Sequence, residues 1–304
     1  MVIDIHCDVL LKLWEDRSKS FDDEDLHISY SKWVDSPVKV QCFAIFVPPE
    51  AEVDYFNASL EMIDLFHERV IKPYENIKWV QSKEDIEALQ PHEKGAMLTL
   101  EGCHVIGDDI HKLRTLLRLG IKAVGLTWNN VNAVSAGTCV EAPEKGLTNF
   151  GKQVVEVLNE FKVFTDCSHL SPKGIDDVLE HADYPMLSHS NVKAVYDHAR
   201  NISDDQLTQF FAKKAPVGLT FVPYFTADKD SVAIEDLIKH LDHLYHLGGE
   251  DSIAFGSDFD GISKTIKNLE HIGHYNNLID QIKKRYSEED VYKFSYDNFV
   301  RHLD

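Results

Sequence analysis

The stretch Ile253-Ala254-Phe255-Gly256-Ser257-Asp258-Phe259-Asp260-Gly261 carries the pattern that decides the fold. A short apolar run, Ile253 to Gly256, stops abruptly at two carboxylates, and an amphipathic helical stretch, Ile234 to Leu247, precedes it. Outward from this point the same alternation fills the chain. Apolar, β-rich runs occur at Val2 to Ile5, Val40 to Val47, Ala96 to Leu100 and Ile121 to Leu126, then at Val163 to Asp166, Pro185 to Leu187 and Pro216 to Val222. Most are continuous rather than alternating, as expected for parallel strands covered on both faces. Helical periodicity marks Asp54 to Val70, Ile110 to Leu119 and Val154 to Phe161 between them. Eight strands, each followed by a helix, predict a closed (β/α)8 TIM-like barrel rather than an open doubly wound sheet. The chain has 304 residues, with neither a Pro/Gly/Ser-rich linker nor an internal repeat, and reads as a single domain, 1–304. Two stretches, Trp14 to Pro37 and Asn130 to Asn149, read as long loops on the C-terminal side of a strand, where barrel enzymes build pockets.

Charge narrows the partners. Lys and Arg number 31 against 51 Asp and Glu, a formal charge of −20. Such a surface repels phosphate backbones and anionic membranes, so nucleic acid and membrane are excluded as expected partners. Five cysteines, Cys7, Cys42, Cys103, Cys139 and Cys167, form no C-x-x-C pair. An odd number in this pattern points to reduced thiols and a cytoplasmic protein rather than a disulfide framework. The N-terminus lacks the pattern of a signal peptide, and no run of about 18 apolar residues is present to span a bilayer.

The chemistry sits where apolar runs end. Asp4, His6 and Asp8 alternate along the end of the first strand, and a period of two puts them on one side of the chain. The third strand runs into Glu101, the fifth ends at His169, the sixth at His189, and the eighth at Asp258 and Asp260. One such residue is commonly a helix cap. Five such endings on one rim are hard to assign to capping. His6, Asp8, Glu101, His169 and His189 offer the imidazole nitrogens and carboxylate oxygens that zinc prefers. One shared carboxylate would give two sites, so two Zn2+ per chain are expected, and a water between them would be acidified for attack on an amide. His240, His243 and His246 also cluster, but on a helix away from this rim, and read as a solvated face. Tyr224, just past the seventh strand, is placed either to contact substrate or to pack at the rim.

Taken in order, DIHCD from residue 4, LEG from 100, DCSHLS from 166, SHSN from 188 with a downstream ARN from 199, and GSDFDG from 256 resemble the membrane dipeptidase family of zinc metallopeptidases. The resemblance implies a barrel related to the amidohydrolases, and hydrolysis of small dipeptides by a metal-bridging hydroxide, including dipeptides with a C-terminal D-residue. It implies that His6 and Asp8 bind one zinc, that His169 and His189 bind the other, and that Glu101 bridges both. It assigns the substrate carboxylate to Arg200 and the acid/base role to Asp258, and implies a homodimer. One motif departs. Better-known animal members carry a histidine after the fourth strand, facing the substrate carbonyl, where this chain reads Leu126-Thr127-Trp128-Asn129-Asn130. Trp128 is therefore expected at the substrate, offering an indole N–H but no imidazole. Two other readings keep the metal centre: hydrolysis of another amide, lactam or ester, and a binding or regulatory barrel. Asp258 argues against the latter, since a pure binder needs no proton shuttle.

Overall fold

Strands apolar on both faces need cover on both sides, and a closed barrel inside a coat of helices supplies it. The computed structural model describes residues 1–138 and 144–303. Its strands are β1 (Val2–Asp4), β2 (Val38–Phe46), β3 (Ile77–Trp79), β4 (Lys94–Glu101), β5 (Ile121–Gly125), β6 (Phe164–Asp166), β7 (Pro185–Ser190), β8 (Val217–Leu219) and β9 (Ile253–Phe255). β1 pairs in parallel with β2 on one edge and β9 on the other. β2 pairs with β4, and β4 to β9 then follow in chain order. Eight parallel strands thus close on themselves, as the alternation of runs and helices predicts. β3 stands outside the eight. It pairs with Lys94 to Ala96, and β5 pairs further along β4, from Leu98. With three residues it gave no periodic signal.

Inside the barrel, Ile3, Val40, Met97, Phe164, Met186 and Ala254 form one cluster with Tyr296, Phe299, Val300 and Leu303 of the chain end. Phe164 and Phe299 stack at 5.3 Å. The N-terminal ends of the strands are thereby plugged, leaving the opposite rim for the site. Outside, helices turn their apolar stripes inward. Asn149–Phe161 buries Val154, Val155 and Leu158, and Thr148 caps it by accepting from the Gly151 N–H. Pro172 sits in the first turn of Pro172–His181, where its missing N–H costs nothing, and Ser171 provides the cap. Among the described residues, no helix is long and apolar enough to cross a membrane.

The stretch from Trp14 to Pro37 is more structured than a plain loop. It contains the helix Tyr30–Val34 and buries Phe21, Leu26, Ile28 and Trp33. The Trp33 indole donates to the Val38 carbonyl at 3.1 Å. Its apolar residues are spaced irregularly between turn-forming Asp and Ser, which hid this packing from periodicity. Of the second long loop, 139–143 lie outside the described residues, Cys139 among them. The described part lies against the end of β6, where the Thr138 N–H donates to the His169 carbonyl at 2.9 Å.

Candidate metal centre and substrate pocket

The C-terminal rim gathers the predicted residues. His6 and Asp8 follow β1, Glu101 ends β4, His169 follows β6, His189 lies within β7, and Asp258 follows β9. The Asp4 carboxylate accepts from the Ser257 N–H at 2.9 Å and the His6 N–H at 3.3 Å, stitching the ends of β1 and β9 together beneath the site. His6 Nε2 lies 3.5 Å from Asp8 Oδ2 and 3.5 Å from Glu101 Oε2. On the other side, Glu101 Oε1 is 2.9 Å from His169 Nε2 and 4.0 Å from His189 Nε2. The two oxygens of Glu101 thus face two different groups, as a shared carboxylate must. Asp258 Oδ1 stands 3.9 Å from His6 Nε2.

These donors suit cations. His169 Nε2 and His189 Nε2 face each other at 2.9 Å. His169 Nδ1 meets Asn129 Oδ1 at 2.9 Å, which places its hydrogen on Nδ1 and an unshared pair on Nε2. Two neutral rings pointing unshared pairs at one spot beside a carboxylate repel unless a positive charge lies among them. Burial, then Arg200, pulls His169 down to about 4. Burial, then the neighbouring His6 and His169 rings, holds His189 well below the usual histidine range. Both rings are therefore neutral, the form that ligates metal. At His6 burial opposes the charge, but Asp8 and Glu101 outweigh it and carry the ring well above the ordinary range. Among the described residues, His6 Nε2 and Asp8 Oδ1 are buried without a hydrogen-bond partner. Buried polar atoms are rarely left so, and such orphans on a ring and a carboxylate call for an ion. His6, Glu101 and His189 converge as one group of potential ligands, and His6, Asp8 and Asp258 as another.

The last strand end is held by unusual backbone. Asp258 and Asp260 adopt left-handed conformations, φ 63° and 67°, which few residues other than Gly, Asn and Asp accept. A side chain at Gly261 would place its Cβ 2.3 Å from both Asp258 Oδ1 and Asp8 Oδ2, so only glycine lets these carboxylates approach. Burial, then the charge of Asp8, raises Asp258 well above the usual carboxylate range.

A cavity of about 260 Å³ opens on this centre, lined by Asp8, Glu101, His169 and Asp258, and also by Trp128, Arg200 and Tyr224. Arg200 is 3% exposed, with its guanidinium 5.3 Å over the Phe225 ring. Trp128 packs between Phe46 and His169, with ring centroids at 5.5 and 6.1 Å. Tyr224, in the short helix Pro223–Thr226, is 47% exposed and also borders a neighbouring groove of about 760 Å³. That groove is larger but contains none of the converging donors, so the chemistry belongs to the smaller cavity. Of the nine candidate site residues, seven line this cavity, and His6 and His189 converge with Glu101 at its edge.

His240 departs from its expected place on a solvated face. It is fully buried, accepting from the Val192 N–H at 3.0 Å and donating to the Thr226 carbonyl at 2.9 Å. Burial pulls it down to about 4, and as a neutral ring it pins the Arg200 segment to the Tyr224 helix. His246 is exposed, as expected. Asn129, Asp166 and Ser188 were not picked out from sequence. Each adjoins or lies near a recognised position, but a lone amide, carboxylate or hydroxyl gives no signal without its partner.

Fold and site together define a (β/α)8 barrel with a candidate metal centre at the C-terminal rim. The family model described as Membrane dipeptidase (Peptidase family M19) matches residues 1–304, and the chain belongs to this family of metallopeptidases. Dipeptidase tcpJ of Claviceps purpurea is 27% identical over 304 residues, covering 95% of this chain and 71% of that protein. An uncharacterized dipeptidase of Schizosaccharomyces pombe is 31% identical over 235 residues, 75% of this chain, which spans 56% of that protein's length. Among solved structures, a metallopeptidase from Rhodobacter sphaeroides, liganded with a phosphinate mimic of the dipeptide L-Ala-D-Ala, superposes with a TM-score of 0.92 at 25% identity, covering 99% of this chain and 98% of that one.

Proposed function

We propose that the chain is a two-zinc dipeptidase that cleaves free dipeptides, those with a C-terminal D-residue included. The carrying observation is that Asp8, Glu101, His169, Asp258 and Arg200 line one cavity of about 260 Å³, a volume for a small substrate, with His6 and His189 converging on Glu101 at its edge. His6 and Asp8 would hold one zinc and His169 and His189 the other, with Glu101 reaching both. Zinc there would polarise the scissile carbonyl and make water acidic enough to attack at neutral pH. Asp258 takes a proton from the attacking water and returns it to the leaving amine. Arg200 grips the substrate's terminal carboxylate, and Trp128 and Tyr224 wall the cavity, excluding bulk water from one flank. A cytoplasmic setting belongs to this proposal; Cys7, Cys42, Cys103 and Cys167 are buried and free, in keeping with it.

The choice of a dipeptide over another amide rests on Arg200, a buried cation lining the cavity and placed to receive a terminal carboxylate. Arg200→Ala should lower kcat/KM on free dipeptides by roughly 10- to 150-fold, the equivalent of a charge-assisted hydrogen bond of about 1.5–3 kcal/mol. C-terminally amidated dipeptides should be cleaved poorly by the native enzyme. Equal rates on free and amidated substrates would remove Arg200 from this role.

The D-residue expectation draws support from the ligand of the Rhodobacter sphaeroides enzyme. If recognition depends on the carboxylate and the peptide bond, inversion at the C-terminal Cα redirects only the side chain. L-Ala-D-Ala should therefore be hydrolysed alongside L-Ala-L-Ala. An enzyme active on the second and inert toward the first would restrict the proposal to L,L-substrates.

A further inference from the structure

Asp166 has no part in the mechanism above, yet it organises the histidine side of the site. Its Oδ1 accepts from the Ser168 hydroxyl at 2.6 Å, the Ser168 N–H at 3.1 Å and the Ser188 N–H at 2.9 Å. Its Oδ2 accepts from the Ser188 hydroxyl at 2.5 Å. These two serines immediately precede His169 and His189. Asp166 ends β6 and Ser188 lies on β7, so one carboxylate ties two adjacent strands at the point where each delivers a histidine.

The hydrogen positions follow. Both Asp166 oxygens face donors, three on Oδ1 and the Ser188 hydroxyl on Oδ2, so the Ser188 hydroxyl proton points at Asp166. The oxygen of Ser188 is then the acceptor for His189 Nδ1, 2.8 Å away. Nδ1 carries the ring hydrogen, and the unshared pair of Nε2 is directed toward His169 Nε2, 2.9 Å away. The Ser168 hydroxyl oxygen meanwhile accepts the His189 N–H at 3.1 Å and lies 3.0 Å from Ser188 Oγ; it steadies the main chain and touches the ring only through Ser188.

We infer that Asp166 is a positioning residue for the ion shared by His169, His189 and Glu101, acting through Ser188 to set the tautomer and direction of the His189 ring. Partners of this kind behind a ligating histidine govern affinity because they make the correct lone pair available before the ion arrives. The inference rests on the reading that these three residues ligate one ion. It makes Ser188 and Ser168 unequal, although both donate to the same carboxylate.

The test compares the full-length protein with Ser188→Ala, Asp166→Asn and Ser168→Ala. Each is equilibrated against graded free zinc, its bound ions are counted by elemental analysis, and its thermal unfolding is recorded. Cobalt substitution adds an absorption signature for the histidine-rich ion. Native protein should hold two ions. Ser188→Ala and Asp166→Asn should keep the ion at His6 and Asp8 while binding the other about 10- to 100-fold more weakly. Ser168→Ala should hold both at native strength. Native metal binding in Ser188→Ala would overturn the inference, even if its melting temperature fell. So would equal losses in Ser188→Ala and Ser168→Ala, which would mark the network as merely structural. Native protein that takes up no metal would overturn the underlying reading and the inference together.

Discussion

His189→Ala is expected to leave a folded protein with about one zinc in place of two and almost no dipeptidase activity. The ring is 1% exposed, and its Nε2 lies 2.9 Å from His169 Nε2, so alanine removes a donor that no neighbouring side chain replaces. His169 and Glu101 alone make a weak site, whereas His6, Asp8 and Glu101 keep three donors for the other ion. A Lewis acid contributes several kcal/mol at a developing negative charge. At about 1.4 kcal/mol per factor of ten, turnover should fall by roughly 10³-fold or more. Elemental analysis of protein purified without chelators, beside circular dichroism, separates loss of metal from loss of fold. Native protein free of transition metal and unresponsive to added zinc would defeat the mechanism altogether.

The barrel was legible because its strands are buried on both faces. β2 and β4 are covered along their whole length, so burial writes mostly apolar runs, interrupted by few polar residues, that a strand reading picks out directly. The site was legible for a related reason. Ligands placed at strand ends interrupt those runs at fixed points, and His6, Glu101, His169, His189 and Asp258 each mark such an end. What stayed hidden depends on contacts distant in sequence. β3 is three residues long and exists because β4 leaves part of an edge unpaired. His240 looked solvated because its partners, Val192 and Thr226, lie 48 and 14 residues away. Asp166 showed no role until Ser188, 22 residues on, was brought beside it.

The two carboxylates of the last strand end illustrate how position divides labour between identical side chains. Asp260 accepts from the N–H groups of His27 at 2.7 Å and Ile28 at 2.9 Å, one on each oxygen, while its own N–H donates to His27 Nδ1 at 3.0 Å. It is committed to anchoring the long segment after β1, and burial raises it to about 7. Asp258 points instead into the cavity beside His6, 3.9 Å away; it lies within reach of the same ion as His6 and Asp8, yet the sets His6, Asp8, Glu101 and His169, His189, Glu101 each hold three donors without it. It is thus free to exchange a proton. Burial and Asp8 push it toward its protonated form, and two cations at the donors would pull it back toward the ionised one, so it can reside in either state during turnover. Asp258→Asn keeps the shape, and asparagine accepts the left-handed backbone that this position requires. The variant should fold, retain two zinc ions, bind dipeptide, and turn over roughly 10²- to 10⁴-fold more slowly, the span for loss of a general acid–base group. Asp260→Asn should show the opposite pattern. Its amide presents a donor to a backbone N–H, so stability should fall by about 1–3 kcal/mol, while any protein that remains folded keeps its proton shuttle. Steady-state turnover and urea unfolding of the two variants decide between them. A zinc-replete Asp258→Asn protein with near-native turnover would move the proton transfer to another group.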